Sequence, residues 1–103
     1  MWRWRRGWRE GPGRPMKPRT IGFKPTEMAF GPLPLPVTGK TIIMSLDEYE
    51  AFRLIYYEDL KQEEAAKRMG VSRGTVWRCL ENARRKVATM LVERRPLIVT
   101  ANP

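Results

Sequence analysis

One stretch, Gln62 to Leu80, constrains the fold of this chain more than any other. It reads QEEAAKRMGVSRGTVWRCL. Ala65, Ala66 and Met69 fall on one face of a short helix. Gly70 lies just past its end, where a left-handed backbone costs glycine nothing. Val71 plugs the corner. Ser72 stands at an N-cap, its hydroxyl able to accept a free backbone N–H. Val76, Cys79 and Leu80 then recur as the inward face of a second helix. Ala66 is small where that helix crosses. This is helix-turn-helix spacing, and it predicts DNA binding with the second helix in the major groove. Spacing alone also fits a packed helical corner that touches no nucleic acid.

Charge separates the two readings. The chain has a net charge of +9 and a pI of about 10.5, which favours a polyanionic partner. The charge is also segregated. Residues 1–24 carry eight positive and one negative, 41–71 four and seven, and 72–95 seven and two, so the second helix lies in a basic block. Ser72, Arg73, Gly74, Trp77, Arg78 and Glu81 are expected to face bases, with Arg73 and Arg78 reading guanine edges. Thr75, Arg84, Arg85 and Lys86, with Arg14, Lys17 and Arg19 near the N-terminus, are expected to meet phosphates.

Composition removes other classes. With one cysteine and no histidine, an intramolecular disulfide, a Cys/His zinc site and a His-based triad are all excluded. Cys79 reads as a small apolar filler. Ser45 and Ser72 are both accounted for as helix caps. No apolar stretch is long enough to span a membrane, and the N-terminus lacks the apolar run of a secretory signal. A cytoplasmic protein with no cofactor, no small-molecule ligand and no enzymatic activity is the expectation.

Residues 1–19 hold seven basic residues, three Trp, three Gly and three Pro, with no helical or strand period, and read as a flexible basic arm. Gly13-Arg14-Pro15 has the core of an AT-hook, with Pro12 where that motif has Arg. Such an arm suits phosphates, the minor groove or stacking on exposed bases. An RNA-binding or ribosome-associated role through its Trp and Arg residues is therefore the alternative function. Residues 20–40 are proline-rich and apolar, and predict an extended segment lying over the helices.

Residues 41–100 hold the folded domain. Ser45 and Glu48 form a capping box, and Asp47, Glu48 and Glu50 suit the first turn of a helix. Tyr49, Phe52, Ile55 and Tyr56 follow at helical spacing as a core face. The third helix is expected from Arg73 to Val92, with Val76, Leu80, Ala83, Val87 and Leu91 inward. Residues 41–44 and 97–100 are short β-prone runs, expected to pair with each other or with a second subunit. The fold class expected is mainly α: a three-helix helix-turn-helix domain with an extended N-terminal arm.

Leu46–Leu54, Gln62–Ala66, Met69–Arg73, Thr75, Arg78 and Ala83–Ala88 together resemble a family of small bacterial and archaeal proteins described as DNA-binding. Its helix-turn-helix is similar to region 4 of sigma-70 factors. The resemblance covers about residues 41–93. It implies a transcriptional regulator that binds double-stranded DNA. Gly74 and Trp77 depart from the family pattern, which has a polar residue, commonly Gln, and a small residue there. Lys61 stands where a Ser or Thr would cap the middle helix. Because one helix-turn-helix reads only a half-site, a homodimer is expected.

Overall fold

The structure is a computed structural model that describes residues 2–4, 18–22, 27–33 and 39–102. The elements follow in the order β1 (Trp2–Trp4), β2 (Arg19–Ile21), β3 (Met28–Phe30), β4 (Ile42–Ser45), α1 (Leu46–Phe52), α2 (Gln62–Met69), α3 (Arg73–Glu93) and β5 (Leu97–Thr100). A π-helical stretch, Arg53–Tyr57, continues α1.

β4 runs straight into α1. Ser45 is the N-cap, and the Glu48 carboxylate accepts from the Ser45 backbone N–H at 3.0 Å, the contact a capping box supplies. In the π-helical stretch each turn holds an extra residue, which rotates the helix. Leu54 is buried, whereas Tyr56 is 51% exposed and Tyr57 83%. The fully buried side is that of Asp47, Glu50, Ala51 and Leu54, and Tyr56, expected in the core face, lies beside Phe52 with ring centroids 4.9 Å apart on the more open side. Asp59, at φ 63°, turns the chain into α2.

Gly70 ends α2 in the left-handed region, φ 67° and ψ 36°, with its N–H bonded back to Ala66 and Lys67. Ser72 caps α3 by accepting from the Thr75 backbone N–H at 3.1 Å. A cluster of Ala51, Leu54, Ala65, Ala66, Met69, Val76 and Cys79 packs the corner. A second cluster joins Trp4, Ile21, Ile42, Met44, Leu46, Ala83, Leu97 and Val99. On α3, Met90 packs against this second cluster, while Leu91 is 69% exposed, outside the inward stripe expected of it.

The expectation of a mainly α fold is overturned. The protein is mixed α/β, with five strands in two sheets among the described residues. β1 pairs antiparallel with β2, Trp2 opposite Ile21 and Trp4 opposite Arg19. The second sheet has the order β3-β5-β4. β3 runs antiparallel to β5, and β4 parallel to it with Ile42 opposite Leu97. The two β-prone runs thus pair with each other. β1, β2 and β3 come from the segments read as arm and extended cover. Each is three residues long, too short to carry a period-2 signal. Trp4 also ties the first strand down: it is buried, and its indole N–H donates to the Ala101 carbonyl at 2.9 Å. Among the described residues, no helix is long and apolar enough to cross a membrane.

Candidate nucleic-acid interface

The candidate interface is built on the first turns of α3. Helical geometry places Arg73, Trp77 and Arg84 along one ridge and Gly74, Arg78 and Arg85 along the next. All six are exposed. Arg73 and Arg84 are 11 residues apart, about 16 Å along the axis. A Cβ on Gly74 would meet only the Ser72 hydroxyl at 3.9 Å and Arg78 at 4.0 Å, so the surface there is open.

Several of these side chains have partners. Arg73 Nη1 lies 3.4 Å from Glu63 Oε1 on α2. Arg78 donates to the Thr75 hydroxyl at 3.3 Å, and that hydroxyl is 2.9 Å from the Ser72 hydroxyl. Ser72 and Thr75 therefore serve the cap and orient Arg78. Glu81 and Arg84 pair at 2.7 Å. Arg84 Nε also donates to the Tyr56 hydroxyl, with its guanidinium carbon 5.4 Å from the Tyr56 ring centroid. Ile55, Leu60, Lys61, Gln62, Glu63 and Arg73 line a hollow of about 370 Å³ beside the first turn of α3.

Lys86 and Arg19 are turned to a different use. Lys86 Nζ is 2.6 Å from Glu48, and Arg19 Nε is 3.1 Å from Asp47. Arg53 Nε holds Glu50 at 2.7 Å, and Glu50 also accepts from the Gly22 N–H at 2.7 Å. Asp47, Glu48 and Glu50 are all buried. A buried carboxylate needs a cation or hydrogen-bond donors beside it. These three acids draw cations from β2, α3 and the π-helical stretch that continues α1. Arg85 is exposed, whereas Arg14 and Lys17 lie outside the described residues.

Two residues that sequence reasoning passed over are Glu63 and Tyr56, the partners of Arg73 and Arg84. The ten-residue separation of Glu63 from Arg73 becomes a contact only once the Gly70 turn is formed. Tyr56 is exposed, beside Phe52.

A family described as "Protein of unknown function DUF134" matches residues 5–102. The chain belongs to this family. A UPF0251 protein of Pyrococcus abyssi is 56% identical over 95 residues, 90% of this chain and 86% of the relative. One from Archaeoglobus fulgidus is 40% identical over 101 residues, 97% and 92% of the two chains. One from Vibrio vulnificus is 46% identical over 85 residues, 82% and 85%. The family thus spans archaea and bacteria. No solved structure matches the chain.

Proposed function

We propose that this protein binds duplex DNA sequence-specifically and acts as a transcriptional regulator, with α3 in the major groove. One observation carries the reading. Beyond a left-handed glycine corner and a serine cap, α3 exposes Arg73, Gly74, Trp77 and Arg78 within its first turns. Arg73 and Arg78 read base edges, Trp77 adds apolar contact, and Gly74 permits close approach. Arg84 and Arg85, further along the helix, hold phosphates. Lys86 and Arg19 stay in their internal ion pairs. The helix-turn-helix reading is of the kind found in region 4 of sigma-70 factors.

A homodimer would supply the second half-site. Ala29, Ile98 and Ile43, directly opposite one another across the three-stranded sheet, are candidates for its contact face.

Selection of bound sequences from a random duplex pool tests the reading directly. Arg73→Ala and Arg78→Ala should then narrow the gap between the selected site and random DNA, while Arg84→Ala lowers both. Engaging about six phosphates gives log K a slope near −5 against log salt. No duplex binding at about 50 mM salt, or structured RNA displacing duplex at equal concentration, overturns the proposal.

A further inference from the structure

We infer that Glu63 is a positioning residue for Arg73. Its carboxylate holds one edge of the guanidinium so that the other edge meets a base. Sequence preference would then depend on a side chain that touches no base itself. The inference rests on the duplex-DNA reading above.

The geometry is specific about which edge is held. Glu63 Oε1 accepts from Arg73 Nη1 at 3.4 Å, across the turn between α2 and α3. A guanidinium carries five N–H groups in a rigid fork. The edge formed by Nε and Nη2 stays available for a bidentate contact with guanine O6 and N7. Arg73 also lines the hollow it shares with Ile55, Leu60 and Gln62, so a second surface borders it. On its other side Gly74 leaves open space.

Stability does not explain the pair. The Arg73 and Glu63 side chains are 67% and 71% exposed, and an ion pair that exposed contributes little to folding. The acids of α1 are different, since burial forces each of them to take a cation. At a DNA-facing surface an exposed carboxylate has another consequence. If Arg73 swings to a phosphate, Glu63 is left as an uncompensated negative charge beside the backbone. If Arg73 reads a base, it keeps Glu63. The pair therefore penalises non-specific binding more than specific binding, which is what discrimination requires.

The test measures binding of the selected site and of random duplex by fluorescence anisotropy at about 100 mM salt. It compares the full-length wild type with Glu63→Gln, Glu63→Asp, Arg73→Ala and the double variant Arg73→Ala/Glu63→Gln. Glu63→Gln should strengthen random binding about 1.5- to 2-fold, the effect of removing one charge about 7 Å from a phosphate in water at this salt. It should also cut the site-to-random ratio about fivefold or more. Glu63→Asp keeps the charge but is one methylene short of Arg73. It should leave random binding at the wild-type level and still cut the ratio. In the Arg73→Ala background, Glu63→Gln should leave the ratio unchanged. The inference is overturned if Glu63→Gln keeps the ratio within twofold of wild type, or cuts it as much without Arg73 as with it. A wild type that prefers a site, with Glu63→Gln unaffected, removes this inference alone. A wild type that binds no duplex removes the DNA reading as well.

Discussion

Replacing Trp4 by alanine asks whether the N-terminal segment is a free arm or part of the fold. Trp4 is 7% exposed in a cluster with Ile21, Ile42, Leu97 and Val99. A tryptophan so placed buries on the order of 200 Å², about 5 kcal/mol at 25 cal/mol per Å². That figure is an upper bound, because the unfolded chain already hides part of this area. The substitution also leaves the Ala101 carbonyl without its indole donor, a further cost of about 1 kcal/mol. Against this, β1 is three residues long and, among the described residues, pairs only with β2, so it can fray and let water into the gap. We therefore expect a loss of about 2–4 kcal/mol, or about 10–20 °C in melting temperature, read by circular dichroism. Trp4→Phe should lose about 1–2 kcal/mol, keeping most of the area but not the hydrogen bond. A Trp4→Ala variant that melts within about 2 °C of wild type would refute the reasoning and return Trp2–Trp4 to a detached arm.

Lys86→Met should lower stability by about 2–3 kcal/mol in urea unfolding, because it leaves the buried Glu48 without its ammonium partner. Adding Glu48→Gln should recover part of that loss, and an unchanged midpoint in Lys86→Met would free Lys86 for phosphates. Gly70→Ala should cost about 1–2 kcal/mol from its left-handed backbone alone, since the nearest atom to a new Cβ, the Thr20 hydroxyl, is 3.8 Å away. Gly74→Ala should instead stabilise α3 by up to about 1 kcal/mol, while its new methyl weakens DNA binding; urea unfolding and a binding titration separate the two. Burial, reinforced by Asp47, pushes the Cys79 thiol up to about 12 from 9.0, so a thiol-specific reagent at neutral pH should react only with unfolded protein. The unfolded thiol ionises first as pH rises. Stability should therefore fall above about pH 9, by about 1.4 kcal/mol per pH unit, with no contribution below; Cys79→Ala should remove that share of the slope.

The helices were legible because their signals are local. Ser45 with Glu48, Gly70 and Ser72 mark helix ends whatever surrounds them. The apolar faces of α2 and most of α3 follow from spacing. The strands were harder. Three-residue strands whose partners lie far away in the chain leave nothing for periodicity to detect, and Trp4 becomes a core residue only through Ala101 at the other end. Tyr56 was misplaced because it shares a side of the helix with Phe52, while the side that is fully buried is that of Ala51 and Leu54. At the candidate interface, exposure of Arg73, Trp77 and Arg78 could be read from the helical register. The use of Arg19 and Lys86 could not. A basic residue in a basic block looks free until the fold shows which acid it meets.

The chain reconciles a small core with so much charge by burying acids together with their cations. Its first helix begins with three carboxylates, and the sequence suggests a solvated helix start that the macrodipole stabilises. Instead Asp47, Glu48 and Glu50 are turned inward and matched by Arg19, Lys86 and Arg53. Each pair joins α1 to a different part of the chain: the N-terminal β2, the middle of α3, or its own continuation. Unpaired, any one of these carboxylates would be costly to bury, so the pairs favour the one arrangement that satisfies all three. Burying matched pairs also removes as many acids as bases, so it leaves the chain's net charge of +9 undiminished. The acids that would have opposed a polyanion at the surface are instead inside, and Glu48 ties α1 to α3 through Lys86. The exposed carboxylates facing the candidate interface are then few, and Glu63 and Glu81 each lie against an arginine. Net positive charge attracts any polyanion, but carboxylates that restrain the arginines can make that attraction selective.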